Sequence, residues 1–268
     1  MEQLRDTIEK SRKIVIQIGS NVLSDENGTV NKKVMHNIVE QVKELIAMGK
    51  QVILVSSGAG ICGVGAINKW SRRGDINYKQ ALCAIGQVEL MMAYKEYFGD
   101  YGIHVAQMLL TRDDFSDPHR TLNIRNAMFT LIDEGVVPVI NENDSVSVDE
   151  IKIGDNDTLA ALTTTLWNAD LLIILSDIDG VFDKDPKAND DAKLIELVEN
   201  AEKLTSEINI GGTSTFGTGG ILSKIEAAAK VNKFGIPMLL LNGSRENIIR
   251  NGMSEEAKGT LFLGTMTR

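Results

Sequence analysis

The sequence predicts an α/β fold built on a parallel sheet, and two observations lead to this prediction. Along the 268 residues, segments with the pattern of strands alternate with segments that have the pattern of helices. The strand segments are apolar almost throughout, which is typical of strands that helices cover on both faces. In sheets of this kind, ligands bind at the loops that follow the carboxyl ends of the strands.

Each element follows from its own pattern. Residues 14–18 are a run of mostly β-branched side chains broken only by Gln17. Residues 32–48 repeat apolar side chains at helical spacing until Gly49 ends the pattern. A soft boundary between two parts of the chain falls near residues 165–170. The remaining elements in chain order are a strand at 51–56, a Met-rich helix at 79–98, a strand at 104–110, a helix at 119–134, a strand at 136–141, a helix at 157–168, strands at 171–177 and 194–198, an Ala-rich helix at 220–234, and strands at 236–243 and 259–264.

Composition excludes several classes of function. Lys and Arg number 28 against 37 Asp and Glu, a net charge of −9, which argues against nonspecific binding to nucleic acid or anionic membranes. The charged N-terminus does not resemble a signal peptide, and no apolar run reaches the roughly 18 residues of a membrane span. The two cysteines are too few for a disulfide framework or a zinc site. We therefore expect a cytoplasmic protein with reduced thiols.

Three Gly-rich loops are candidates for binding phosphate: GSN at 19–21, SSGAG at 56–60 and FGTGGILSK at 216–224. Their backbone N–H groups and hydroxyls suit an anion, but none matches the P-loop or dinucleotide pattern. Lys224 lies in the predicted first turn of its helix, where a cation is least favoured unless an anion binds there. The alternative for Lys224 is an ordinary solvent-facing side chain.

Two clusters of acids and amides, at 141–144 and 155–157, follow a predicted strand and precede a predicted helix. A helix cap explains one of these residues but not seven, and the spacing of an EF-hand is absent. The clusters suit a small zwitterion, with Asp144 for its amine and amide N–H groups for its carboxylate. Ser176 and Asp177 end another strand, where they form either a simple turn or a contact to a nucleotide.

These motifs together resemble the amino acid kinase family. The matching pieces include IGSNVL, VSSGAG, VPVINENDSV, IKIGDNDTLAA, LLIILSDIDGVFDKDP and GTGGILSKIEAA, in family order across nearly the whole chain. The pair VINENDSV and GDNDTL is most similar to the branch of the family that phosphorylates glutamate. The resemblance implies a single three-layer αβα sandwich over 1–268 with an eight-stranded, mostly parallel sheet. Residues of about 1–168 would form the glutamate lobe and about 169–268 the ATP lobe.

The resemblance also implies the reaction and the glutamate site. The γ-phosphoryl group of Mg·ATP would pass to the side-chain carboxylate of L-glutamate, giving L-glutamyl 5-phosphate in the first step of proline biosynthesis. Ser57, Gly58, Asp144 and Asn156 would bind glutamate, and Asn141 would shape that site.

The remaining roles concern ATP and the transferred group. Asp157 would orient the catalytic lysines, and Lys224 would stabilise the transferring phosphoryl group. Magnesium is expected to arrive with ATP and to be held mainly by its phosphates, without a dedicated protein metal site. The residues implied in ATP binding are Gly19, Ser20, Ser176, Asp177, Thr218, Gly219, Gly220 and Lys224.

The chain departs from the family pattern at Gln17, where relatives carry a catalytic Lys. Gln keeps an N–H donor but loses the charge, and a neutral hydrogen bond is about half as strong as a charge-assisted one. The departure leaves open a slow or compensated enzyme, with Lys152 or Arg112 as compensating cations, and a weakly active sensor of the same fold. A core amide bonded to backbone and a sister kinase of another carboxylate or carbamate are further alternatives.

A second departure is that many relatives carry a C-terminal PUA domain, whereas this sequence ends just after GTLFLG. We therefore expect no such domain. The resemblance also implies feedback inhibition by proline and a homo-oligomer, either a dimer or a tetramer. The helix at 79–98 is a candidate interface, although a core helix is the favoured interpretation.

Overall fold

An eight-stranded, mostly parallel sheet is present in the computed structural model and confirms the predicted α/β fold. The strand order is β3-β4-β2-β1-β5-β9-β10-β8, and two further short strands pair as β6-β7. The strands are β1 (Lys13–Ile18), β2 (Gln51–Ser56), β3 (Val105–Leu110), β4 (Val137–Glu142), β5 (Leu171–Ser176), β6 (Val181–Phe182), β7 (Leu194–Ile195), β8 (Leu197–Val198), β9 (Met238–Asn242) and β10 (Thr260–Phe262).

The helices connect these strands, as the alternating pattern predicts. The structure describes residues 2–25, 27, 29–68, 75–146, 156–186, 188–210, 220–254 and 258–264. Within this part of the chain, no helix is long and apolar enough to cross a membrane. The helices are α1 (Glu2–Lys10), α2 (Ser20–Leu23), α3 (Lys32–Ala47), α4 (Ala59–Ile67), α5 (Ile76–Gly99), α6 (Arg112–Ser116), α7 (Pro118–Asp133), α8 (Asn156–Trp167), α9 (Ala201–Ile210), α10 (Gly220–Asn232) and α11 (Ile248–Gly252).

The chain divides into two compact units. One comprises residues 18–156, and the other comprises 1–17 together with 157–268. In unit 18–156, β2 and β3 both pair with β4 in parallel. In the other unit, β9 pairs with β5 in parallel and with β10 antiparallel, and β10 pairs with β8 in parallel.

Sequence patterns missed or misjudged several elements. No helix was predicted for α1, α4 or α9, and the Gly-rich sequence of α4 has low helix propensity. The single strand predicted at 194–198 is wrong. It forms two short strands that pair with different partners, because β7 pairs with β6 and β8 pairs with β10.

Helix α5 is half buried, and its inner face is a stripe of residues spaced four apart. This stripe comprises Leu82, Gly86, Leu90, Tyr94 and Phe98. Its outer face exposes Val88 and Met92. The core interpretation of the helix is therefore confirmed for one face only.

Glycines let α4 and α5 approach through their backbones. A Cβ atom at Gly86 would overlap the Ala59 carbonyl oxygen and the Gly63 nitrogen, and one at Gly63 would overlap the Leu82 carbonyl oxygen. Neither obstacle is the end of a flexible side chain, so neither can move aside without shifting a helix. Tertiary packing therefore forms α4 despite its weak intrinsic preference for a helix.

Gly86→Ala is expected to destabilise the protein by about 1–3 kcal/mol, because the added methyl group forces α4 and α5 apart. The matched control is Gly99→Ala at the end of the same helix, where a Cβ atom would meet nothing within 4 Å. The control should lose no stability, and urea unfolding midpoints would compare the two. Equal midpoints for both variants would contradict the proposed close contact.

Candidate functional site

In unit 18–156, the sequence-predicted substrate residues form one hydrogen-bonded cluster. Asn156 Nδ2 donates to Ser57 Oγ at 2.8 Å and to Asn141 Oδ1 at 3.0 Å. Asn141 ends the buried part of β4 and is only 3% exposed. The cluster joins the end of β2, the end of β4 and the start of α8, the loop positions at which α/β sheets bind ligands.

The orientation of the Asn141 amide follows from its neighbours. Its Oδ1 accepts the backbone N–H of Glu142 at 2.9 Å, and its Nδ2 donates to Gln87 Oε1 at 2.9 Å. A backbone N–H is only a donor, so the oxygen of Asn141 must face it. The Oδ1 atom of Asn156 is buried and has no hydrogen-bond partner among the described residues, which leaves an acceptor in the cluster.

A buried tyrosine supports the strand end beneath the cluster. The Tyr94 hydroxyl lies 2.8 Å from Ser56 Oγ, and Ser56 Oγ donates to the Ser57 carbonyl at 3.2 Å. Burial raises the pKa of Tyr94, which is therefore neutral at physiological pH. Gly58 follows in the left-handed region at φ 103°, a conformation that glycine adopts without strain, and precedes α4.

Asp144 lines a cavity of about 160 Å³ in the same unit. Cys83, Gln87, Gln107 and Asn143 are among the other residues that line it. Residues with carboxylate and with amide side chains therefore line this space.

In the unit of residues 1–17 and 157–268, Lys224 and Asp157 form a buried ion pair. Lys224 Nζ lies 3.1 Å from Asp157 Oδ2, and the two side chains are 15% and 6% exposed. Ser223 Oγ donates to the same oxygen at 2.7 Å. Lys224 is the fifth described residue of α10, and its Nζ donates to the Gly220 carbonyl at 3.2 Å.

The end of β5 carries a second polar group in this unit. Ser176 is buried and its Oγ donates to Asp177 Oδ1 at 3.2 Å, whereas Asp177 is exposed. Asp179 holds the turn that follows, because its carboxylate accepts two hydrogen bonds from Arg245, at 2.6 and 2.8 Å, and one from Asn242 at 2.8 Å. The Arg245 hydrogen bond lowers the pKa of Asp179.

The other predicted residues fall at scattered positions in the chain. Gln17 is 3% exposed in β1, and Gly19 precedes the short helix α2, which begins at Ser20. Arg112 is exposed at the start of α6. Thr218, Gly219 and Lys152 lie outside the described residues. Within the described ranges, no group of three or more His, Cys, Asp or Glu side chains is arranged to hold a metal.

The model of the amino acid kinase family matches residues 12–242. The chain belongs to the amino acid kinase family. It is 60% identical over 97% of its length to a glutamate 5-kinase of Alkaliphilus metalliredigens and covers 98% of that protein. It is 58% identical, with the same coverage, to a glutamate 5-kinase of Alkaliphilus oremlandii.

A solved structure of the family supports the fold alone. Carbamate kinase from Giardia lamblia, bound to AMP-PNP, aligns with a TM-score of 0.68 at 17% identity, covering 96% of this chain and 99% of that one. At this low identity, only the course of the chain can be compared.

Sequence reasoning missed several residues that hold these groups in place. Gln87 and Tyr94 lie in a helix interpreted only by its apolar side chains. Ser223 carries no signal apart from its place beside Lys224. The sequence allows a turn after Ser176 and Asp177, but it gives no signal for the distant contact between Asp179 and Arg245.

Asp179→Asn is expected to lower the melting temperature by about 1–3 °C at neutral pH, because the neutral amide loses its charged pairing with Arg245. A lowered folded-state pKa gives stability that is present above the unfolded value and is lost as pH falls through the folded value. The difference from the unsubstituted protein should therefore persist from pH 7 to 5 and shrink below about pH 4.

The matched control is Asp6→Asn, which removes an exposed ion pair with Lys10 in α1. It should change the melting temperature little at any pH. Thermal melts of all three proteins across this range provide the measurement. A constant deficit for Asp179→Asn down to pH 2 would contradict an ionic origin.

Proposed function

We propose that the protein transfers the γ-phosphoryl group of ATP to the side-chain carboxylate of L-glutamate, giving L-glutamyl 5-phosphate in the first step of proline biosynthesis. The observation that carries this proposal is the 60% identity, over nearly the full length of both chains, to a glutamate 5-kinase. This similarity does not favour a sensor or a sister kinase of another acid.

In this proposal, unit 18–156 binds glutamate. Asp144 accepts hydrogen bonds from the ligand amine, and Ser57, the Gly58 backbone and Asn156 contact the rest of the ligand. Asn141 shapes the site because its amide holds Asn156 in place. The Oδ1 atom of Asn156, which has no partner in the described part of the chain, adds an acceptor that suits an ammonium group.

The other unit provides the groups that act on the phosphoryl group. The glutamate carboxylate is already an anionic nucleophile, so the reaction needs no general base but does need positive charge where two anions meet. Lys224 supplies that charge. Asp157 and Ser223 orient Lys224, since Ser223 Oγ and Lys224 Nζ both donate to Asp157 Oδ2.

We assign ATP to Ser176 and Asp177 at the end of β5, to residues 218–224 with Thr218, Gly219 and Gly220, and to Gly19 and Ser20. Magnesium would be bound chiefly by the ATP phosphates, where it neutralises charge that develops during transfer. We further propose a cytoplasmic homo-oligomer that proline inhibits.

Gln17 takes the position of the family lysine. Its side chain is buried in β1, so a donor held there would be preorganised rather than solvated. A neutral amide donates a weaker hydrogen bond to phosphate than an ammonium does. We therefore propose a working enzyme in which Lys224 supplies the main positive charge.

The test is glutamate-dependent release of ADP from Mg·ATP, with the acyl phosphate trapped as its hydroxamate. We expect the chain to turn over and Gln17→Lys to raise kcat by up to about tenfold, because the donor gains a charge. No glutamate-dependent release from either protein would overturn the proposed function. A loss of activity in Gln17→Lys alone would overturn only the role given to position 17.

Lys224→Met is expected to lower kcat by about 10²–10³ and to leave KM for glutamate nearly unchanged, because the lost charge acts on the transferring group. The matched control is Lys230→Met in the same helix, where the exposed lysine contacts Thr158 Oγ1 at 3.2 Å. The control should retain kcat within a factor of about two. A comparable loss of kcat in both variants would indicate a general effect on α10.

A further inference from the structure

One buried donor in unit 18–156 has no hydrogen-bond partner among the described residues. The Nε2 atom of Gln87 is fully buried, and the whole residue is 7% exposed. An amide N–H left unpaired in a protein interior is destabilising, because it has lost its hydrogen bonds to water. A ligand atom that accepts a hydrogen bond would satisfy such a group.

The orientation of the Gln87 amide is set by the residues around it. The Glu142 N–H fixes the oxygen of Asn141, so Asn141 presents its Nδ2 to Gln87. Gln87 must therefore accept this hydrogen bond through its Oε1, which leaves its Nε2 without a partner among the described residues. If the Gln87 amide were flipped, its Nε2 would face Asn141 Nδ2, and two donors would oppose each other. That orientation is disfavoured, because the Glu142 N–H fixes the orientation of Asn141.

Gln87 also lines the cavity of about 160 Å³ that Asp144 lines. The cavity is therefore lined by one residue that carries a carboxylate and by one that carries a neutral amide. An α-amino acid carries its ammonium and its carboxylate on one carbon atom, so these two protein groups match the two polar substituents of that carbon.

We propose that Gln87 Nε2 donates a hydrogen bond to the α-carboxylate of the amino-acid substrate and thereby selects a carboxylate at that position. The proposal rests on the proposed function for the identity of the substrate. Gln87 then has two roles through one amide. Its oxygen orients Asn141, and its nitrogen contacts the ligand.

The test is Gln87→Glu, which keeps the length of the side chain and an oxygen for Asn141 but replaces the free donor with an anionic oxygen. Affinity for L-glutamate and for its α-carboxamide analogue would be measured by calorimetry, and KM for ATP by the ADP assay. Like charges brought together in an interface oppose binding strongly. We expect glutamate affinity to fall at least about tenfold, whereas the α-carboxamide, which offers its own N–H, binds as well or better.

The matched control is Gln107→Glu, which adds a carboxylate to the same cavity at an exposed side chain. Solvent screens that charge, so its effect on glutamate affinity should stay below about threefold. KM for ATP should stay close to that of the unsubstituted protein in both variants, which shows that both fold. The melting temperature should stay close in Gln107→Glu and fall in Gln87→Glu, where the new carboxylate is buried.

The outcomes separate this inference from the proposed function. A fall in glutamate affinity with a reversed preference between the two ligands supports the role of Gln87, even if turnover is absent. An equal loss for both ligands in Gln87→Glu, or no loss, overturns that role while glutamate-dependent turnover can still stand. Absence of glutamate binding to the unsubstituted protein overturns the role as well.

Discussion

The close backbone approach of α4 and α5 is the constraint on which the candidate site in unit 18–156 depends. It requires residues without a Cβ atom at Gly63 and Gly86, since a methyl group at either position would overlap backbone atoms of the facing helix. This position of α5 brings Gln87, the residue after Gly86, within hydrogen-bond distance of Asn141. Two turns later, the Tyr94 hydroxyl lies within hydrogen-bond distance of Ser56 Oγ. The packing of two helices thus determines where the polar groups of the site lie.

The orientation of the side-chain amides is a second constraint on the site. Gln and Asn side chains present a donor at one end and an acceptor at the other, so each can be satisfied in either of two ways unless a neighbour decides. Here the Glu142 N–H decides for Asn141, and Asn141 decides for Gln87 and for Asn156. The cluster therefore presents fixed donors and acceptors before any ligand arrives, which reduces the entropy cost of binding.

The sequence predicted the parts of the fold that local pattern encodes. Apolar runs identified the central strands, and the polar clusters at 141–144 and 155–157 pointed to strand ends and a helix start, where the structure places Asn141 and Asn156. Pattern failed where distant residues decide the outcome. Helix α4 depends on packing against α5, the strand predicted at 194–198 is split by its two different partners, and the Asp179–Arg245 pair joins residues far apart in sequence. No signal in the sequence pointed to Gln87, because its proposed role depends on which atom of its amide is already bonded to Asn141.

The charge balance near Lys224 bears on how a chain with Gln17 can act on phosphate. Lys224 pairs with the Asp157 carboxylate, so together they carry no net charge, and the whole chain carries −9. An anion that approaches Lys224 must therefore compete with Asp157 for it, and Gln17 adds no positive charge. Neutral donors then matter more. Ser223 donates to the oxygen of Asp157 that also contacts Lys224, which weakens the hold of that oxygen on the lysine. Under the proposed function, a hydroxyl in that position would let Lys224 turn toward phosphate at a lower electrostatic cost than an unshared ion pair would allow.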